Sequence, residues 1–240
     1  SASGSWRLTW SRSRSDLEAA RTVELDIGGP RLMPETLAIV VGLIPADSLD
    51  REFGKVVPGM PQAHRRLRDG ERLEFAGHEW DVIVGRGHSP EHACLYDRGR
   101  NILISGDQIL PTISPNISIW PTEPQANPLQ DFFESIDRLE ELLPEDVLVL
   151  PAHGMPFRGA HGRMDALVDE HVEKLDKLLD FCSEPRRAVD TFSTLYRAPI
   201  RADSMIMATG EALAHLNYLT DEDAIVAEPD SDGIIWYQRN

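Results

Sequence analysis

Between residues 66 and 107 the apolar positions come in short runs with a period of two, separated by glycine. Arg72-Leu-Glu-Phe75 and Glu79-Trp-Asp-Val-Ile-Val84 flank Ala76-Gly77-His78, which predicts a hairpin with glycine at its turn, and Gly70 marks the turn before it. Ala93-Cys-Leu-Tyr96 and Ile102-Leu-Ile-Ser105 follow as two more strands, joined by the turn Asp97-Arg-Gly-Arg100. Connections this short cannot make a parallel crossover, so these strands succeed one another antiparallel. From Gln108 to Pro124 the pattern loses any period and includes Pro111, Pro115, Pro121 and Pro124, which predicts an ordered loop held by its side chains. The period then changes to that of a helix: Leu129, Phe132, Phe133, Ile136, Leu139, Leu142 and Leu143 share one face, and Pro144 stops the run. Val147 to Leu150 returns as a strand.

Beyond residue 160 the helical period dominates. Met164 to Cys182 carries Leu167, Val168, His171, Leu175, Leu178 and Leu179 on one side, with His171 expected to be a satisfied helix histidine. Two shorter helices are predicted over Ala188 to Tyr196 and Gly210 to Leu219. A hairpin of Ile225-Val-Ala227 and Ile234-Ile-Trp-Tyr237 closes the order. The first sixty residues say least. Asp16 to Arg21 has helix composition behind the cap candidate Ser15, and a further short helix could open at Ser48 and Asp50. Pro34 to Ile44 reads as a buried helix or as a strand.

The chain has 240 residues, enough for one large or two modest domains, and a formal net charge of −16. That charge disfavours nucleic acid and anionic membrane as partners, since neither would gain by releasing counterions to such a surface. The predicted helix from Gly210 to Leu219 holds Glu211 and no Lys or Arg, and the hairpin adds Glu228, Asp230 and Asp232. The C-terminal module is therefore read as structural or dimerising. Cys94 and Cys182 lie far apart among apolar neighbours and read as buried free thiols suited to a reducing cytoplasm. No run approaches the ~18 apolar residues of a membrane span, and the opening Ser-Ala-Ser-Gly-Ser has no signal-peptide pattern.

The candidate chemistry sits where strands end. Asp81-Val-Ile-Val-Gly-Arg-Gly-His-Ser-Pro-Glu-His92 delivers His88 and His92 to a Gly/Pro-shaped loop; Asn101-Ile-Leu-Ile-Ser-Gly-Asp107 ends in a carboxylate; Val147-Leu-Val-Leu-Pro-Ala-His-Gly154 ends in an imidazole. Imidazole and carboxylate at the C-terminal ends of successive strands are the groups and the place for a metal centre. His64 and His78 fall in polar or turn contexts and read as solvated. Trp120, in the proline-rich loop just after Asp107, is a candidate substrate wall.

The series Gly-His-Ser-Pro-Glu-His, Ser-Gly-Asp and Pro-Ala-His-Gly resembles the metallo-β-lactamase superfamily of hydrolases. Within it, the series looks like the glyoxalase-II-like branch and relatives with a C-terminal winged-helix-like domain. The resemblance implies an α/β fold: the C-terminal part of a metallo-β-lactamase-like αββα sandwich, with a helical lid-like N-terminal region, over residues 1–161. A winged-helix-like helical domain would occupy residues 162–240. It further implies that His88, Asp107 and His153 are metal ligands, that Asp107 bridges two divalent ions (zinc, iron or manganese), and that His92 supports them from behind. The implied activity is hydrolysis of a small ester or thioester, as in hydroxyacylglutathione hydrolases. An endoribonuclease or phosphodiesterase of the same fold is the alternative, and a non-catalytic interaction protein using the winged-helix-like module is a third. One departure limits the likeness: the family's His-x-His-x-Asp-His is absent, and among the eight histidines no two are two apart. Half the ligand set is missing, so this stretch alone is expected to bind metal poorly and not to turn over substrate. An exposed sheet face carrying Trp80, Ile83, Leu103 and Val149 is expected with it.

Overall fold

The computed structural model describes residues 67–240 and the strand pair partner Thr22–Val23; the expectations for a helix from Asp16, the Pro34–Ile44 segment, a helix at Ser48, a helical lid and His64 lie outside the described residues. Strand β1 (Thr22–Val23) pairs antiparallel with β2 (Leu67–Arg68) in a small sheet of its own. A five-stranded sheet follows in the order β3 (Arg72–Phe75), β4 (His78–Gly85), β5 (His92–Asp97), β6 (Ile102–Gly106) and β7 (Leu148–Pro151). The first four strands are antiparallel neighbours, as their short connections require, whereas β6 and β7 are parallel. The crossover between them is helix α1 (Pro128–Leu142).

Helix α1 forms where it does for local reasons. The Asn127 side chain accepts from the Gln130 N–H at 3.1 Å, and Pro128 has the φ of a first helical turn without an N–H to strand. The chain turns extended at Leu143, ahead of Pro144, where the missing N–H ends the helix. The buried face is Leu129, Phe132, Phe133, Ile136 and Leu139, which packs on the sheet with Ile83, Cys94, Leu103 and Val149. Dispersion and exclusion of water from these side chains hold helix and sheet together.

The sheet does not present the expected exposed face. Trp80, Ile83, Leu103 and Val149 are all buried, and they do not share a face, because Trp80 and Ile83 stand three apart on β4. Ile83, Leu103 and Val149 belong to the α1 side, while Val82 and Val84 form a second cluster with Leu67, Leu73, Ala93 and Leu95 on the other. Trp80 lies stacked on Phe75 at 5.0 Å and beneath Arg100. Covering on both faces explains why β4 loses its alternation after Val82.

The C-terminal part is helical and packs into the same core. Helix α2 (Ala160–Phe181) starts four residues before the expected Met164 and ends one before Cys182. A 3₁₀ turn (Ala188–Thr191) runs into the one-turn helix α3 (Phe192–Leu195), and a second 3₁₀ turn (Ala202–Ser204) leads into α4 (Met205–Asp221). Strands β8 (Ile225–Pro229) and β9 (Ile235–Arg239) form the closing hairpin, docked by hydrogen bonds from Arg239 N–H to the Cys182 carbonyl and between Tyr237 and Arg186. The architecture is thus an α/β sandwich followed by a C-terminal helical domain. Helix α4 is buried along most of its length, Glu211 included. The charge of Glu211, read above as a surface property, is an interior one. Both cysteines are free and buried, as expected.

Where α1, α2 and α4 meet, two fully buried histidines face each other. His171 Nδ1 and His215 Nε2 are 3.1 Å apart, and His215 Nδ1 lies 2.8 Å from the Glu211 carbonyl. A carbonyl can only accept, so His215 carries its proton on Nδ1 and accepts on Nε2; His171 then donates from Nδ1. Phe132 and Phe133 meet the His171 ring edge-on, and His171 Nε2 has no hydrogen-bond partner. The expected satisfied histidine is satisfied on one side only. Burial pushes the His215 pKa down to about 4 and the His171 pKa well below its usual value, so both rings are neutral in the fold. The unfolded chain takes up protons at these sites below about pH 6.5 while the folded chain does not, so their contribution to stability is complete above that pH and is lost on the way down to about pH 4. The urea midpoint is expected to fall across this window, and to fall less steeply in His215→Gln. Equal slopes in both proteins would assign the acid loss to other groups.

Candidate metal centre

Strands β4, β6 and β7 all run the same way, because β4 and β6 are each antiparallel to β5 and β6 is parallel to β7. Their C-terminal ends therefore lie on one edge of the sheet. Three sequence motifs that are 19 and 46 residues apart reach that edge together, since His88 follows β4, Asp107 follows β6 and His153 follows β7. β5 begins at the same edge with His92, paired in register with Gly85.

Asp107 is the centre of the group. His88 Nε2 lies 3.5 Å from its Oδ2, and His153 Nε2 lies 3.5 Å from its Oδ1. Oδ1 is buried and takes no hydrogen bond. On the His88 side the protonation is set from behind: Nδ1 lies 2.9 Å from the Asn116 carbonyl, which must accept, so a neutral His88 presents a bare lone pair at Nε2. A lone pair facing a carboxylate oxygen is repulsive unless a proton or a cation stands between them. The donor set of two imidazole nitrogens and a two-oxygen carboxylate therefore fits divalent metal, with one imidazole on each oxygen. It does not fit a complete centre: among the described residues no three His, Cys, Asp or Glu side chains converge as a group able to hold an ion. His153 is mostly exposed, whereas His88 and Asp107 are about a quarter exposed.

His92 has a different position. The Asp107 N–H donates to His92 Nε2 at 3.3 Å, and the ring packs on Gly106, where a methyl group would strike Nε2. Burial, reinforced by the neighbouring His88, lowers the His92 pKa, which favours the neutral ring that can accept. His88 and His92 stand edge-to-face, 6.0 Å between ring centroids. Asp107 is thus held through its backbone by the ring that crosses behind it. Gly106 has φ +53°, a left-handed turn that lets the chain leave β6 and aim the next side chain outwards. His78, expected to be solvated, is part-exposed but lies 3.8 Å from Asp97 at the opposite end of β4.

Sequence reasoning did not find the groups that hold His88. The loop from Gln108 to Pro124 lies against α4: Ile119 N–H donates to the Gly210 carbonyl at 3.0 Å, and Asn116 Nδ2 donates to Glu211 Oε2 at 3.2 Å. A side chain at Gly210 would meet the Ile119 carbonyl at 2.8 Å, so glycine is what lets loop and helix approach. The readable signal was Glu211 itself, the lone charge in the apolar middle of its helix. Trp120 ends this anchored stretch and is 46% exposed.

Two family models match the chain: the metallo-beta-lactamase superfamily over residues 40–153, and the metallo-beta-lactamase-like C-terminal domain over residues 175–240. The chain has the metallo-β-lactamase superfamily fold followed by a C-terminal domain. A beta-lactamase domain protein from Burkholderia ambifaria is similar, with 39% identity and a TM-score of 0.74 over 81% of this chain. So is a metallo-beta-lactamase family protein from Thermus thermophilus, with 30% identity and a TM-score of 0.71 over 85% of this chain. An uncharacterized protein of Aquifex aeolicus is 29% identical over 93 residues, 39% of this chain. The chain spans 59% and 63% of the two structures and 42% of the Aquifex protein. The superfamily match ends at His153, so all three groups around Asp107 fall inside it. No helix among the described residues is long and apolar enough to cross a membrane.

Gly106→Ala is expected to lower stability by about 1–3 kcal/mol, from a strained φ and a methyl driven into His92. Urea unfolding gives the loss, and the His92 ring resonances should shift with it. An unchanged midpoint with unchanged resonances would show that the ring is not packed on Gly106.

Proposed function

We propose that this chain is the C-terminal part of a metal-dependent hydrolase acting on a small ester or thioester in the cytoplasm, with its hydrolase domain over residues 1–161 and a structural winged-helix-like domain over residues 162–240. The observation that carries the reading is the pair of imidazole Nε2 atoms, one facing each oxygen of the Asp107 carboxylate. In this reading His88 and His153 would each help to hold a divalent ion, Asp107 would serve both, and the remaining ligands would come from a His-x-His-x-Asp-His segment that this stretch does not contain. When bound, such a metal pair polarises a carbonyl group and supplies hydroxide at neutral pH. The chain's own residues do the positioning. Asn116 holds His88 in the Nδ1–H form, His92 holds the Asp107 backbone, and Trp120 offers an apolar wall for an acyl group. The net charge of −16 and the interior position of α4 favour a small substrate over a polyanion.

Expressed alone, residues 1–240 should hold metal weakly and leave thioesters intact. A longer form carrying the His-x-His-x-Asp-His segment should hold two ions and hydrolyse them. In that form Asp107→Asn should lower kcat/KM by about a hundredfold or more, the scale of losing a charged group at a reacting centre. Elemental analysis, with assays on thioesters, lactones and short RNA, reads all three. Two tightly held ions with turnover in the short form would show the ligand count to be wrong, and RNA cleavage without thioester turnover would replace the substrate class.

A further inference from the structure

Glu211 is 7% exposed and sits on the central helix of the C-terminal domain, yet one of its hydrogen bonds reaches the loop that follows Asp107. Oε1 accepts from Lys174 Nζ at 2.9 Å; Oε2 accepts from Tyr196 OH at 3.1 Å and from Asn116 Nδ2 at 3.2 Å. The other end of the Asn116 amide is taken as well, since Ser118 Oγ donates to Asn116 Oδ1. Both halves of that side chain are clamped, and the same loop is pinned three residues further on by the Ile119–Gly210 hydrogen bond. The carbonyl of the residue so clamped is the one that accepts from His88 Nδ1 at 2.9 Å.

A buried carboxylate is retained only where its charge is paired and its oxygens are bonded, and Lys174 with the two other donors, Tyr196 and Asn116, meets that need. The donor on the loop side is the side-chain amide of the residue whose own carbonyl faces His88, so the position of Glu211 bears directly on where that carbonyl points. That carbonyl selects between the two tautomers of His88. With it in place Nε2 offers a lone pair toward Asp107; without it a population of rings carries the proton on Nε2 and cannot bind a cation there. We propose that Glu211 is a positioning residue of the candidate metal centre, acting through Asn116 to hold His88 as an Nδ1–H imidazole. The C-terminal domain is then part of the site's construction. The functional meaning of this link rests on the metal-centre reading above, whereas the link itself is observable without metal.

The test uses the ¹⁵N-labelled 240-residue chain without metal, reading the His88 ring by long-range ¹H–¹⁵N correlation, and then a cobalt(II) titration. Wild type should show a single Nδ1–H tautomer. Glu211→Ala should give a mixture and weaken cobalt binding by about tenfold or more. Glu211→Gln, whose amide oxygen can still accept from Asn116, should restore the single form. Leu219→Ala removes buried apolar contact from the same helix, and should cost stability without moving His88. Asn116→Ala removes the link while leaving the Glu211–Lys174–Tyr196 cluster whole, and carries the same expectation if Glu211→Ala does not fold. A folded variant of either kind with His88 unchanged would overturn the proposal, as would an equal disturbance by Leu219→Ala. If the tautomer follows Glu211 but wild type takes up no cobalt even at millimolar concentration, where a weak site would fill, the positioning stands and the metal reading fails.

Discussion

Asp107 leaves the end of β6 with two carboxylate oxygens facing two imidazoles at 3.5 Å each, and much of the surrounding structure keeps those three groups at that edge. The requirement begins in the sheet. Only a parallel β6–β7 pair puts His153 beside Asp107, and a parallel pair needs a crossover that packs back on the sheet. Helix α1 is that crossover, so the apolar face of Leu129, Phe132, Phe133, Ile136 and Leu139 is as necessary to the site as the histidines. Charge enters next, because a lone pair set against a carboxylate is unfavourable in the bare protein and becomes favourable when a cation lies between.

The two domains share one apolar core. Phe132 and Phe133 from α1 meet His171 from α2, and Tyr218 from α4 packs edge-on to Phe133 at 5.5 Å. Within that core the polar groups are arranged so that each is paired at a neighbour's expense: His215 bonds to the Glu211 carbonyl, His171 to His215, and the Glu211 carboxylate to Lys174, Tyr196 and Asn116. The unpaired His171 Nε2 is where this chain of donors ends, and it ends against aromatic edges. Such networks are directional, and this one specifies how the C-terminal helices sit on the proline-rich loop in a way that apolar contact alone would not.

Helix α4 shows how one residue changes meaning with its surroundings. Taken as a surface helix, its acid speaks only of repulsion from phosphate. Buried, the same carboxylate organises a loop 95 residues away in sequence. The helix occupies the centre of its domain, so burial limits what it can present to a polyanion more directly than its charge does.

Much of this molecule was determined locally and could be read from the chain. Strand and hairpin positions followed from period and glycine. The span of α1 followed from its apolar spacing and the stop at Pro144, and the three site motifs stood out because each ends a strand. The shared direction of β4, β6 and β7 was only half legible: short connections force β4 to β6 into antiparallel order, but parallel pairing of β7 depends on how α1 packs. Tertiary structure alone decided the rest. Trp80 and Ile83 went to opposite faces and both became buried, since period assigns a side chain to a face of its strand and says nothing of what covers that face. The roles of Asn116 and Glu211, and the tautomers of His88, His171 and His215, were also invisible, because each depends on a partner far away in sequence. A hydrogen bond needs about 3 Å between its atoms, and no spacing along a chain can specify that between residues brought together only by folding.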